Sequence, residues 1–498
     1  MKISPPAIRP LTSDRRRRPP IDLSGGRWPR LILLFALGLI GTANFLVYFI
    51  RLAGPAPLTP WESAIAMEAV RFMHRLPLYE PSHATHMYGP FLTLTTAGIF
   101  TLTGFSLIAA RIVFSLCGIA LGAFLATLIC RGERATWWVI GFVLFLGINL
   151  RVNFIFVSAQ PDCIAALLAL IALCLWVRPT SRAVLRWVGL GLFLTAVMFK
   201  QTSAAFALIL PVKVMLWERP LDWKKFLYSS VPTLAITLEI GLIYLAAPLL
   251  FHAMIAVPAG IQVYSGRALS GASLLVATFP MVYLGGVALL AQRQAPREID
   301  RWICSALAVF LPVGVWTLAK SGAGYNSLLY AFLAMVALTL SQLPSILRWI
   351  DSLPKSRSVF AATCLDLVLL GSYFFECDRS ARLLYLRHGD ERMEAAIAVA
   401  RAGAGRVISP QDPSIAYRGS GYIGRSAFFE LDGHANAGEW PAHLPAEIDR
   451  ELAMARGVIE VRSYVPVPQL RQSLQEKGFQ IFNVPAFEDS TYTLWLRP

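Results

Sequence analysis

Residues 106–130, SLIAARIVFSLCGIALGAFLATLIC, hold a single charged side chain, Arg111. A helix rising 1.5 Å per residue needs about 20 apolar residues to cross about 30 Å of hydrocarbon, so this stretch predicts a membrane-spanning helix. Working outward, further apolar runs lie at 31–52, 135–156, 162–178, 185–199, 201–217, 226–249, 272–292, 302–319, 325–343 and 358–375. The chain of 498 residues is 56% hydrophobic and 15% charged, against about a quarter charged in a soluble domain, and its mean hydropathy is +0.56. These values exclude a soluble enzyme and a disordered chain and speak against a transmembrane barrel. The expected fold is a polytopic α-helical membrane protein with about eleven transmembrane helices.

Charge sets the expected orientation. The net charge is +15, but the excess lies in a basic tail, residues 1–30 (Arg15, Arg16, Arg17, Arg18, Arg27 and Arg30), and in alternate short loops. Cationic loops resist translocation, so this pattern predicts a multi-pass protein of a bacterial inner membrane with no nucleic-acid partner. The N-terminus would be cytoplasmic. The first run lacks a small-residue cleavage site and is read as a retained helix. Residues 89–103, GPFLTLTTAGIFTLT, are short and threonine-rich, and fit an interfacial or re-entrant helix inside a large outer loop, 53–105. Counting them as a span would turn the later cationic loops outward, so the count stays odd and the C-terminus is expected on the periplasmic side. The seven cysteines form neither a C-x-x-C pair nor a clustered set, so neither a zinc site nor a disulfide framework is expected.

Past residue 375 the chain changes character. Residues 376–498 carry 14 Lys and Arg against 16 Asp and Glu. Helical phrases such as ERMEAAIAVARAG and PAEIDRELAMARG alternate with strand-like GRVISP, GVIEVRSY and TYTLWLRP. The expected layout is therefore a helical domain over 31–375, followed by a C-terminal periplasmic α/β domain over 376–498. Gly419, Gly421 and Gly424 match G-x-G-x-x-G, but no clear strand leads into them and no long helix follows, so they are read as a turn.

Ionisable groups at a membrane boundary are costly and become candidates for function. On the expected outer side these are Glu62, Asp162, Lys200 and Lys320, with Arg111 and Arg151 in the outer halves of their helices. Each has a plain structural alternative. Thr59-Pro60-Trp61-Glu62 reads as a capping box with proline at the first helical position. Asp162 follows Pro161 and could serve a helix dipole, while Lys200 and Arg111 could snorkel to the interface. As a set they suit glycosyl transfer from a lipid phosphate: a carboxylate takes the acceptor proton and a cation holds the charge growing on the leaving phosphate. Glu239 and Asp366, acids within apolar runs, support the alternative of a transporter or flippase of a glycolipid or small solute.

Four phrases carry a family resemblance. They are PWESAIAMEAVRFMHRLPLYEP (60–81) followed by HMYGPF (86–91), AQPDCIAALLALIAL (159–173), FKQTSAAF (199–206) and KSGAGYNSLLYAFLA (320–334). Their order over residues 31–343 resembles the membrane-embedded GT-C glycosyltransferases that use polyprenyl-phosphate sugars. That class includes protein O-mannosyltransferases, the lipid A aminoarabinose transferase and the rhizobial galacturonosyltransferases. The resemblance implies an inverting glycosyltransferase taking a polyprenyl-phosphate-linked sugar to a glycan, lipid or protein acceptor beside the membrane lipid. It carries Glu62 and Asp162 over as the catalytic acids and Lys200, with Arg111, as donor-phosphate contacts. Tyr88, Gln201, Lys320, Tyr325 and Asn326 become substrate-pocket candidates. Some branches of the class use a divalent metal; none is certain here, and His83 and His86 are the candidate ligands. The chain departs from the class at Trp61, where relatives place Asp or Gly before the acid. It also lacks a glycine in Arg75-Leu76-Pro77-Leu78-Tyr79. Which acid is the base stays open on these grounds.

Overall fold

Proline and glycine set several helix boundaries. Pro60 opens helix α2 and Pro90 opens α3, each at the first helical position, where a missing N–H leaves no hydrogen bond unmade. Gly104, with φ +72°, ends α3 in a conformation that a Cβ would strain. The computed structural model describes residues 27–79, 87–130, 135–152, 155–178, 183–291, 296–320, 325–374, 379–403, 406–426, 444, 446–461, 468–487 and 492–498.

The helices are α1 (Arg27–Ala53), α2 (Pro60–Met73), α3 (Pro90–Thr103), α4 (Leu107–Ile129), α5 (Ala135–Gly147), α6 (Asp162–Val177), α7 (Ala183–Phe199) and α8 (Ala205–Trp217). They continue as α9 (Trp223–Ala246), α10 (Pro248–Phe251), α11 (Val257–Gly260), α12 (Ser265–Thr278), α13 (Met281–Leu290), α14 (Glu298–Leu318), α15 (Leu329–Asp351) and α16 (Lys355–Phe374). Among the described residues six helices are long and apolar enough to cross a membrane: those at Leu31–Ala53, Leu107–Ile129, Trp223–Ala246, Glu298–Leu318, Asn326–Asp351 and Lys355–Phe374. Shorter apolar helices, α3 and α5 to α8 among them, pack between them. Every residue of α15 from Leu329 to Pro344 is buried. A helix apolar on all sides belongs inside a bundle, and α15 is the bundle's centre.

Two stretches depart from the sequence expectation. The run 135–156 is helical only to Gly147, then turns through a 3-10 segment, Ile148–Leu150, into buried irregular chain. Asn149 makes that possible: its amide donates to Asn44 Oδ1 (3.2 Å), and its Oδ1 accepts from the Phe156 N–H (3.1 Å). A side chain thus satisfies backbone that has left its helix. The run 272–292 is broken at Pro280 into α12 and α13, because proline lacks the N–H a continuous helix would use.

Beyond the bundle, α17 (Arg379–Ala402) leads to a four-stranded sheet of β1 (Val407–Ile408), β2 (Gly457–Val461), β3 (Gln480–Phe482) and β4 (Tyr492–Leu496) in the order β1-β2-β4-β3. β1 and β2 are parallel and the other pairs antiparallel, with Ile459 opposite Leu494. Side chains alternate along β2. Val458 faces Leu452, Leu470 and Leu474, while Ile459 and Val461 face Met393 and Ile397 of α17. Strand β3 was not expected from sequence. Helix α18 (Pro413–Ser420) ends at Gly421, whose φ of +75° closes it, so the glycine triplet is a helix end and the turn after it.

A cysteine placed at Met454, which is 73% exposed, tests the orientation. In a cysteine-free background a membrane-impermeant maleimide applied from outside the inner membrane should label Met454→Cys without detergent. Labelling that needs permeabilisation would reverse the expected orientation.

Candidate active site

One end of the bundle is organised around Glu62. Thr59 adopts the extended conformation of an N-cap, yet no side-chain cap forms. Its hydroxyl instead accepts from Gln160 Nε2 (3.1 Å), and Glu62 Oε2 accepts from the Leu58 N–H (2.7 Å). The capping-box reading is thus replaced by a longer-range arrangement. Arg111, in the second turn of α4, meets Glu62 through Nη2 (2.8 Å) and Nε (3.2 Å). Its guanidinium also donates to the carbonyls of Arg51 (3.2 Å), Gly54 and Ala56. The Ala159 N–H gives Glu62 Oε1 a further donor (2.8 Å). Glu62 and Arg111 are both completely buried. An uncompensated charge at such depth would be costly, and here each charged atom is met by a partner.

Three residues beyond Ala159, Asp162 is the first residue of α6. Lys200 follows the last residue of α7, the helix packed alongside α6. The Lys200 ammonium donates to Asp162 Oδ1, with Asp162 1% and Lys200 8% exposed. Asp162 Oδ2 is buried and has no hydrogen-bond partner among the described residues. Carboxylate and cation from different helices thus meet at one point, and half of the carboxylate is left for something else.

The surrounding pieces fix that point. Tyr88-Gly89-Pro90 passes over the end of α7 so closely that a Cβ on Gly89 would lie 2.1 Å from the Met198 carbonyl oxygen. The position therefore requires glycine. The Gln201 amide donates to the carbonyls of Met87 and Met254, tying the segment before α3 to the π-helical turn His252–Ala256. Tyr88 is buried beside Trp61, ring centres 6.3 Å apart. Burial, with the Asp162 charge adding to it, holds its phenol above the ordinary value.

The other sequence candidates fall differently. Lys320 is engaged away from this pair: its ammonium donates to the Pro258 carbonyl (2.5 Å), and its own carbonyl accepts from Arg267 (3.4 Å). Burial pushes that ammonium below its usual value. Tyr325 and half-buried Asn326 share the 3-10 turn Tyr325–Leu328 that precedes α15. His83 and His86 lie outside the described residues. Among the described residues no three His, Cys, Asp or Glu side chains converge as a metal would need. Both Glu62 oxygens are taken by donors, so the described donor set does not fit a metal. Asp366 is buried within α16, with Oδ1 unpartnered.

Sequence reasoning missed two features. Tyr330, on α15, is buried with its ring edge-on to Phe206 at 5.0 Å. Asp412, at the cap of α18, accepts from the Ser63 hydroxyl and from the Ser414 hydroxyl (2.5 Å). That joins the C-terminal sheet domain to the helix carrying Glu62. Burial holds the Asp412 carboxyl above its ordinary value, against the pull of those hydroxyls and of Arg418. The Ser-Pro-Gln-Asp-Pro-Ser phrase at 409–414 was the available signal, since Asp before Pro-Ser marks a helix start.

Breaking the inner ion pair should unfold this end of the protein. Arg111→Met or Glu62→Gln should each cost about 3–5 kcal/mol, read as a lowered Tm in detergent, with the double variant losing less than the sum. Single variants that keep the wild-type Tm would show the pair to be unimportant for the fold.

No protein-family model and no curated protein matches the sequence. Solved structures do match. ArnT from Cupriavidus metallidurans in the apo state superposes with a TM-score of 0.55 at 13% identity. The same protein bound to undecaprenyl phosphate superposes with a TM-score of 0.51 at 12% identity. In both cases 92% of this chain and 97% of that chain are covered. At such identity the likeness is one of fold: this chain has the fold of ArnT and, with its long apolar helices, is a multi-pass membrane protein.

Proposed function

We propose that the chain is an inverting glycosyltransferase of a bacterial inner membrane. It moves a sugar from a polyprenyl phosphate to a hydroxyl of a glycan, lipid or protein acceptor on the periplasmic side. The observation that carries this reading is the buried Asp162–Lys200 pair, whose second carboxylate oxygen has no partner among the described residues. Its setting is a fold shared with a protein whose structure holds undecaprenyl phosphate.

Asp162 is the base of choice, because an acceptor hydroxyl can approach only a carboxylate oxygen that is not already taken. In Glu62 both are taken. The acceptor O–H gives its proton to Asp162 Oδ2 as its oxygen bonds to the anomeric carbon from the face opposite the phosphate. The bond from that carbon to the phosphate oxygen breaks, and its electron pair leaves with the lipid phosphate. Lys200 has hydrogens beyond the one given to Asp162, and they meet that growing charge. Glu62 and Arg111 act through position: the Ala159 contact fixes the segment that ends in Asp162. The donor would lie beside Tyr88 and Gln201, and Tyr325 and Asn326, in the turn before α15, stay as pocket candidates.

The test uses purified full-length protein in nanodiscs, a panel of undecaprenyl-phosphate hexoses and pentoses, and an envelope extract as acceptor. Release of undecaprenyl phosphate is the readout, so the acceptor need not be known. Wild type should release it from at least one donor, and Asp162→Asn should lose about 10²–10⁴-fold of that rate. Lys200→Met should be similarly impaired, and since each variant leaves half of a buried pair unmatched, both are assayed below their lowered Tm. Full activity in Asp162→Asn would contradict the mechanism.

A further inference from the structure

Three hydrogen-bond donors without an acceptor gather at the end of the bundle opposite Asp162. Asp162 opens α6 and Lys200 follows α7, so the other ends of these helices, at Val177 and Ala183, mark that place. There Trp176, in the last turn of α6, stacks on Tyr228 of α9 with ring centres 5.3 Å apart and planes 24° from parallel. The guanidinium of Arg186, in the first turn of α7, lies over the same Tyr228 ring, 5.7 Å from its centre. Trp176 Nε1, the Tyr228 hydroxyl and Arg186 Nε are all buried, and none has a hydrogen-bond partner among the described residues. Trp176 is 6% exposed, while Tyr228 and Arg186 are only half-buried, so the group opens at the protein surface.

Packing alone does not account for these side chains. A buried donor without a partner is costly to keep, and phenylalanine at both aromatic positions would preserve the stack without that cost. The neighbouring acids do not serve Arg186 either. Glu218 and Asp222 both meet the Lys225 ammonium, at 3.3 and 3.7 Å, and Asp222 also caps α9 by accepting from the Lys225 N–H at 3.1 Å. Among the described residues Arg186 makes no ion pair.

A guanidinium, a phenol and an indole all donate, so the group calls for an anion with several accepting oxygens and no hydrogen to give, as a phosphate diester has. The surrounding surface indicates where that phosphate comes from. Trp187, next to Arg186, and Trp223, which opens α9, are 71% and 64% exposed, and Val184 and Leu227 beside them are 67% and 62% exposed. Apolar side chains left open on a membrane protein face lipid, and tryptophan collects at the level of the headgroups. Basic pockets between helices at that level suit anionic headgroups.

We propose that Arg186, Tyr228 and Trp176 form a binding site for the phosphate of an anionic phospholipid, seated where α6, α7 and α9 meet. Arg186 supplies the charge, and the phenol and indole fix the phosphate oxygens. The assignment goes beyond glycosyl transfer and is independent of the chemistry at Asp162.

Native mass spectrometry of the purified full-length protein, titrated with phosphatidylglycerol or phosphatidylcholine after delipidation, reads the affinity directly. Wild type should retain phosphatidylglycerol in preference to phosphatidylcholine. Arg186→Gln should weaken phosphatidylglycerol binding about 10-fold or more, and Tyr228→Phe and Trp176→Phe about 3- to 10-fold each, the two phenylalanine variants keeping the wild-type Tm in lipid-free detergent. Lys355→Gln, which removes an exposed cation from the start of α16 at the same end, should stay within twofold of wild type. Equal losses in Lys355→Gln and Arg186→Gln would overturn the site, leaving only a general attraction of cationic loops for anionic lipid. Unchanged binding in both phenylalanine variants would overturn it as well. Displacement of the lipid by excess inorganic phosphate would overturn the lipid assignment and make this a site for a free anion.

Discussion

A carboxylate and a guanidinium with no exposure to solvent, Glu62 and Arg111, hold one end of the helical bundle together. Burying two such charges is unfavourable unless nearly every donor and acceptor finds a partner. That requirement is what organises the chain around them. The carbonyls of Arg51, Gly54 and Ala56 must turn inward to Arg111, which bends the exit from α1. The N–H groups of Leu58 and Ala159 must turn inward to Glu62, which brings the start of α2 against the segment before α6. Asp162 stands three residues further on, so its place opposite Lys200 follows from the same constraint. Stability and chemistry are divided between two acids: one is saturated with donors and shapes the frame, and the other keeps an oxygen open within it.

The same frame extends outward. Ser63, next to Glu62, donates to the buried Asp412, and Arg418 reaches the Pro55 carbonyl at 3.4 Å. Tyr417 packs edge-on against Phe105 at 5.2 Å. The helix that anchors the ion pair is therefore gripped from both sides, by the bundle and by the sheet domain. A change in the seating of α18 would be felt at α2 first.

The membrane character was legible because burial in lipid demands long apolar runs, and those are visible residue by residue. Hydropathy reports burial and not helicity, however. The run over 135–156 is apolar enough to span, but its second part, which holds Asn149, Arg151 and Asn153, leaves the helix at Gly147, with Asn149 accepting from the Phe156 N–H. Pro280 was in view but sat inside a run long enough to span without it. At the site, Glu62, Asp162, Lys200 and Arg111 were each visible as polar residues in costly places. Their pairing was not, since Glu62 and Arg111 are 49 residues apart and Asp162 and Lys200 are 38 apart. Arg111, expected at a donor phosphate, is instead spent on Glu62. Tyr330 gave no signal because a tyrosine in an apolar run reads as core.

The account stands or falls on what occupies the space beside Asp162 and Lys200. A cryo-electron microscopy structure with a non-cleavable phosphonate analogue of a polyprenyl-phosphate sugar would decide it. The expected result has the phosphonate within hydrogen-bonding distance of Lys200, the anomeric carbon facing Asp162 Oδ2, and the Glu62–Arg111 pair undisturbed. An analogue bound elsewhere, or one that displaces Arg111 from Glu62 to reach a phosphonate, would contradict it.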